Sequence, residues 1–329
     1  MDRMPIIVSI VFALLCGIPD ARAGQVVFTR DYVYQASEAD SKLSCRAIAV
    51  EQVKRLLLEQ VGTLVQSETV VRDFQLSRDQ VVSMTAGIVS LDILNEQWDG
   101  QRYALTARVA VDPKQVAEAL DSLRGNAVER AERDDARKQN EASLREIERL
   151  RKELAVLKQR TAPPAELREK QAEYATAAAG LAMNNLLDKG VALLEGGENK
   201  KALQVFEEAV RTSPSEKRAY MGRGAASARL DRTEEALRDF DKALELDPKF
   251  AKPHLARGKV FRKLGRNQEA VKEFDKAIAL NHEFAEAFFA RGMTYLNLRE
   301  RDRGIHDLEL SASLGYKKAR EALAERGRI

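Results

Sequence analysis

Long apolar runs are scarce in this sequence. Past residue 23 no segment approaches the ~18 apolar residues that a membrane-crossing helix needs, so no transmembrane segment is expected there. Cysteine occurs only twice, as Cys16 and Cys45. With Cys16 inside a leader-like stretch, Cys45 has no internal partner, and a disulfide-stapled scaffold is excluded. Aromatic residues make up 6% of the chain, with one tryptophan, too few for a broad surface on which bases could stack. Charge of one sign is lacking as well. Lys and Arg number 54 against 51 Asp and Glu, a net +3, which gives no global field for gripping nucleic acid. The three histidines, His254, His282 and His306, show no HxxxH or HExxH spacing, so no metal site is expected. Neither a GxxxxGK[ST] phosphate loop nor a GxSxG elbow occurs, and Gly222-Arg223-Gly224 lacks the third glycine of a dinucleotide loop. No cofactor and no enzymatic activity are therefore expected.

What is present divides the chain into unlike regions. Ile6 to Leu15 is an apolar run of signal-peptide length, and Ala21-Arg22-Ala23 supplies the small-x-small pattern of a cleavage site. Residues 1–23 are accordingly expected to be a signal peptide, which places the protein in the periplasm or outside the cell. Residues 24–124 carry the marks of a small α+β domain, a helix on an antiparallel sheet. Val26 to Tyr34 is β-branched and aromatic, as strands are. Ser37-Glu38-Ala39-Asp40 has the form of a helix start, and Leu43, Ala47, Val50, Val53, Leu57, Val61 and Leu64 follow at helical spacing. Gly87 to Val111 suggests a hairpin around Trp98-Asp99-Gly100. A three-residue turn with Gly100 left-handed would pair Ile93 with Leu105, Leu91 with Ala107 and Val89 with Val109, keeping one apolar face. Asp112-Pro113 then has the form of an N-cap and first helical position.

Residues 125–162 are rich in Glu, Arg, Lys, Gln and Ala. Ile147, Leu150, Leu154 and Leu157 fall at 3-4-3 spacing, the seam of a short coiled coil. Two readings stay open: self-association of copies through 144–160, or a solvated single helix with local ion pairs. Pro163-Pro164 closes this segment, and 163–182 is expected to be a linker and leading helix.

Beyond it the sequence repeats with a period of 34. Gly190, Gly224, Gly258 and Gly292 keep that step, as do Ala202, Ala236, Ala270 and Gly304, and Phe206, Phe240, Phe274 and Leu308. Ala209, Ala243, Ala277 and Ser311 follow the same phase, with Pro214 and Pro248 after the first two units. Small residues at these positions let two helices cross closely while a bulky one fills the gap beside them. This pattern resembles the tetratricopeptide repeat over residues 183–318, four units in 183–316 with a capping helix in 317–329. The whole chain is thus expected to be mostly α, an α+β domain and a long helix followed by an all-α solenoid.

The resemblance implies a concave groove formed by the first helix of each unit. Its partner-facing residues would include Arg218 and Met221 of the second unit, Lys252, Leu255, Lys259 and Arg262 of the third, and Phe289 and Met293 of the fourth. Between Ala251 and Arg266 there are six Lys or Arg and no Asp or Glu. A protein or peptide bearing carboxylates would suit that stretch, the other reading being a solvated charged face. Arg223, Arg257 and Arg291, each before a repeat glycine, are expected to be structural, whereas Asp239 and Asp241 are expected on a solvated outer face.

The stretches "SEADSKLSCRAIAVEQVKRLLLEQVGTLVQSETVV" and "GIVSLDILNEQWDGQRYALTARVAV" resemble the family of small exported lipoprotein domains also found at the N-terminus of the flagellar assembly protein FlgT. The order signal, coiled coil, repeats is similar to that of periplasmic coordinators such as CpoB. These resemblances imply an exported scaffold or adaptor of the cell envelope that binds proteins, the alternative being a homo-oligomeric structural component.

Overall fold

A computed structural model describes residues 25–67, 89, 91–113, 116 and 127–326. The expected signal peptide with Cys16, and most of the stretch from Pro113 through Gly125, lie outside the described residues. The fold is mostly helical, with one small sheet near the N-terminus.

Three strands form that sheet: β1 (Val26–Gln35), β2 (Leu91–Trp98) and β3 (Arg102–Val111). All pairing is antiparallel in the order β1-β3-β2, so the hairpin's second strand is central. Helix α1 (Lys42–Ser67) lies on one face, where Val53, Leu57 and Val61 pack against Tyr103, Leu105, Ala107 and Val109. The period-2 burial of β3 places all four of these strand residues on that face. Cys45 is fully buried and unpaired in the same core, and burial, with Asp40 beside it, pushes its thiol up to about 11.

Two local expectations shift. Ser37 and Asp40 do bond reciprocally, Asp40 Oδ2 accepting from Ser37 N at 2.6 Å and from Ser37 Oγ at 2.7 Å while Asp40 N donates to the Ser37 carbonyl at 3.0 Å. They close a turn, however, and the helix starts one turn later. There Ser41 and Ser44 cap each other, Ser44 N donating to Ser41 Oγ at 3.1 Å and Ser41 N to Ser44 Oγ at 2.8 Å. Leu43, ahead of the buried stripe, is exposed. In the hairpin, Gly100 is left-handed as expected, at φ 94°. The pairs are nonetheless Ile93 with Ala107 and Leu91 with Val109, two residues along from the expected register. Asp99 Oδ1 accepts from Gln101 N and Arg102 N in a wider turn that pairs Trp98 with Tyr103, and a bulge between Ile93 and Asn95 takes one residue back to leave the net shift of two. A shift of two preserves the face, so the apolar side still meets α1.

The charged segment is one helix, α2 (Ala127–Gln159), folded back antiparallel on α3 (Pro164–Glu195). Pro163-Pro164 serves the turn and then the first turn of α3, where a missing N–H costs nothing. This arrangement corrects the coiled-coil expectation. Ile147, Leu150 and Leu154 are buried against Tyr174, Ala178 and Leu181 of α3 and Ala47 and Ile48 of α1, so the chain itself fills the seam. Polar ties reinforce the junction: Tyr174 Oη to Asp40, Arg151 Nη1 to Tyr34 Oη at 2.9 Å, and Asn185 Nδ2 to the Ala47 carbonyl at 3.1 Å. Residues 164–182 form the expected leading helix, with no separate linker, because α3 runs unbroken into the first repeat.

The repeat region continues as α4 (Asn199–Thr212), α5 (Lys217–Arg229), α6 (Thr233–Leu246), α7 (Ala251–Lys263), α8 (Asn267–Leu280), α9 (Ala285–Asn297) and α10 (Arg301–Ser313). Helix α11 (Lys317–Arg326) follows, burying Ala319 and Ala322 against Leu308. The repeated small residues sit at the crossings. A Cβ on Gly258 would stand 2.4 Å from the Phe274 ring, on Gly224 2.7 Å from Phe240, and on Gly190 2.5 Å from Phe206. In the fourth unit, where Leu308 replaces the phenylalanine, Gly292 instead abuts Gly304, 2.9 Å from its carbonyl oxygen to a Cβ.

Candidate functional site: the inner face of the repeats

The first helices of the four units, the end of α3 with α5, α7 and α9, share a face. Contacts between neighbouring units show it. Arg218 Nη2 donates to Asn184 Oδ1 at 3.0 Å, one repeat apart, and Lys259 Nζ to Glu286 Oε1 at 2.6 Å. Met221, Phe289 and Met293 are half-buried beside these links, Phe289 tilted against Tyr316 at 5.2 Å between ring centroids.

The structure distributes the expected site residues unevenly. Leu255 is buried in the core between α7, α8 and α9, so it supports the face from beneath. Arg218 is held by Glu216, with Nε to Oε1 at 2.9 Å, as well as by Asn184. Lys259 has Glu286, and Lys263 has Asp231. Burial alone would raise the Glu286 carboxyl, but Lys259, with Lys318 and Lys252 adding to it, turns the net shift downward. Lys252 is also engaged. Arg262 forms no ion pair among the described residues and stands half-exposed. The count of six cations without an acid was a property of one sequence stretch. Neighbouring units supply the acids, so the face is less basic than the stretch.

At the first unit the face is partly covered, although Val191 stays exposed. Asn140 of α2, buried like Asn184, accepts from Asn184 Nδ2 at 2.9 Å, and Arg133 of α2 reaches Glu195 at 2.5 Å. Lys54 of α1 reaches Asp188 at 2.6 Å. The part of the face free of α1 and α2 therefore begins at α5.

Behind the face, a ladder of ion pairs spaces the units. Arg223 holds Asp239 at 2.6 Å; Arg257 holds Glu273 at 2.7 Å and Asp241 at 2.5 Å; Arg291 holds Asp307 at 2.8 Å and Asp275 at 2.7 Å. Each of the last two arginines ties its own unit to the preceding one. Asp239, Glu273 and Asp307 are nearly fully buried, which corrects the expectation of a solvated Asp239. The signal was available: these acids step by 34, as the arginines do. Burial alone would raise the Glu273 carboxyl, but hydrogen bonds from His254, Arg257 and Lys276 bring it down to about 2.

Among the described residues there is no cluster of His, Cys, Asp and Glu suited to a metal, and no helix long and apolar enough to cross a membrane. A cleft of about 900 Å³ opens between α1 and α2.

Comparison with known proteins agrees on the repeats. A tetratricopeptide repeat model matches residues 187–249, and a second TPR repeat model matches 258–298. The chain therefore carries tetratricopeptide repeats, modules that generally mediate binding between proteins or to peptides. Among solved structures, TTC0263, a thermophilic TPR protein of Thermus thermophilus, is 22% identical with a TM-score of 0.42, over 50% of this chain and 95% of that one. YrrB, described as a TPR protein with an unusual peptide-binding site, is 19% identical at a TM-score of 0.36, over 52% and 88%. The Arabidopsis OM64 TPR domain is 28% identical at 0.33, over 35% and 95%. No curated protein matches the chain in sequence.

Proposed function

We propose that this chain is an exported, non-enzymatic scaffold of the cell envelope that holds a protein or peptide on the inner face of its second to fourth repeats. The observation that carries the reading is the continuity of that face. Links from unit to unit tie α3 to α5 through Asn184 and Arg218, the end of α5 to α7 through Asp231 and Lys263, and α7 to α9 through Lys259 and Glu286. Met221, Arg262, Phe289 and Met293 remain half-exposed along them. An apolar strip with the Arg262 guanidinium, which has no ion pair among the described residues, suits a segment carrying apolar side chains and a carboxylate. Such a surface works by binding, and its fixed backbone keeps the entropy cost of association low. Export rests on the apolar run Ile6 to Leu15 and the Ala21-Arg22-Ala23 pattern.

Assembly of copies through residues 144–160 is not favoured, because Ile147, Leu150 and Leu154 already face α3 and α1. The test is photo-crosslinking in the intact cell, with a photoreactive residue at Met221, Arg262 or Met293, and at exposed Glu245 on the outer side as control. An adduct of one defined mass from the three inner positions and none from Glu245 is expected. Equal labelling from both sides removes the proposal. Sequencing the mature protein from the periplasmic fraction tests export separately, with Gly24 expected as first residue.

A further inference from the structure

The junction that covers the first repeat has two unlike halves. Toward the α2–α3 turn it is apolar, built on Ile147, Leu150 and Leu154. Toward the N-terminus of α2 it is polar, and its charges do not balance. Lys54 of α1 is the cation at its centre, and Asp188 of α3 holds it at 2.6 Å. Glu51, one turn earlier on α1, is a second carboxyl beside the same cation. Its Oε2 is occluded and accepts no hydrogen bond among the described residues. Asn140 of α2 lies near enough to bond the carboxyl, but Glu141 of α2 and Asp188 add like charge around it. On α2, Arg137 is drawn toward Glu141 at 3.6 Å, and its Nε is likewise occluded without a partner. One ammonium between two carboxylates leaves a neutral site only if one carboxyl keeps its proton. Asp188 has the direct contact, so that carboxyl is Glu51.

We propose that this junction is a proton-dependent latch: the N-terminal half of α2 stays seated on the first repeat while Glu51 is protonated, and lets go as Glu51 ionises. Charging an occluded oxygen that has no donor costs free energy, and undocking α2 lets water supply the missing donors. Burial, set against the attraction of Lys54, raises the carboxyl's affinity for its proton, which agrees with this arrangement. A group whose pKa is raised in the docked state supports docking below its free pKa, and that support is lost as pH rises through the docked pKa. The latch therefore closes in acid and loosens toward alkaline pH. Because α2 covers Asn184 and Glu195 through Asn140 and Arg133, release uncovers these two positions of the first unit and extends the open inner face into it. That consequence rests on the partner-binding reading, whereas the latch itself does not.

Hydrogen exchange on the full chain from pH 5 to pH 9, corrected for intrinsic rates, reads the latch without any partner. Protection of amides 133–144 is expected to fall with rising pH, by up to about tenfold for each unit separating the docked and free pKa values. Amides of α8 serve as control and are expected to stay flat. Glu51→Gln, which cannot ionise, is expected to hold its protection across the range. A flat wild-type profile overturns the proposal, as does a Glu51→Gln profile that falls with wild type, or a parallel fall in α8. Should the variant fail to fold, the wild-type series against α8 decides alone.

Discussion

A single methyl group distinguishes two kinds of glycine in this molecule. At Gly258 a Cβ would meet the Phe274 ring at 2.4 Å, and Phe274 is itself fully buried with no space to retreat. Overpacking of this kind costs about 1–3 kcal/mol, so Gly258→Ala should lower the thermal midpoint. Gly180 lies inside α3 with nothing within 4 Å of its missing Cβ. There Ala should stabilise by about 0.5–1 kcal/mol, because the helix gains a better former. Opposite shifts in two melting curves are the expected result; shifts of the same sign would contradict the packing described. Glu273 gives a second residue-scale prediction. Its carboxyl is held down to about 2, against an ordinary value near 4.5, by His254, Arg257 and Lys276. A depressed acid contributes stability above its unfolded pKa and loses it as pH falls through the folded one, here between about pH 4.5 and 2. Glu273→Gln should cost about 1.5–3 kcal/mol at neutral pH and flatten denaturation curves across that acid window.

Helix α2 shows what a short apolar seam means when its partner lies in the same chain. Leu154 is nearly fully buried among residues of α3 and α1, so Leu154→Ala should destabilise by about 2–5 kcal/mol. Light scattering should meanwhile give the same mass for wild type and variant. A mass that falls on substitution would show that copies, and not the chain's own helices, fill the seam. The sequence displayed this seam but not its occupant, because heptad spacing is the same whether the facing helix belongs to the same molecule or another. Upstream of that seam, Asn140 matches a polar stripe, Asn184 and Asp188, on a helix 44 or more residues away. The repeat crossings were legible for the opposite reason, since each needs one small and one bulky residue at a fixed step and the step is printed four times. In the hairpin, face parity could be read from the alternation in β3, but pairing depended on Asp99 capping two backbone amides and on a bulge at Leu94. The open inner face was harder still. Its cations were visible in the third unit, while Asp231 and Glu286, which neutralise Lys263 and Lys259, come from flanking units.

Across the whole molecule, α3 belongs to two cores at once. Its 32 residues span about 48 Å, carrying Tyr174, Ala178 and Leu181 in the junction and Met183, Leu187, Leu193 and Leu194 in the first repeat. A repeat array alone behaves almost one-dimensionally, each unit feeling only its neighbours. Here the N-terminal domain is coupled to the array through a continuous helix, so a defect in the junction must reach the first repeat. Leu181 and Leu308 are both fully buried, one in the junction and one in the fourth unit, which makes them a matched pair. Leu181→Ala should reduce amide protection in α1, α2 and α4 together. Leu308→Ala should loosen α10 and α11 and leave α1 and α2 as protected as in wild type, because three units intervene. Site-resolved hydrogen exchange distinguishes the two patterns. If Leu181→Ala left α4 untouched, the domain and the solenoid would be separate folding units joined by an inert rod. The covering of the first repeat would then fix where the groove begins without coupling its stability to the domain beside it.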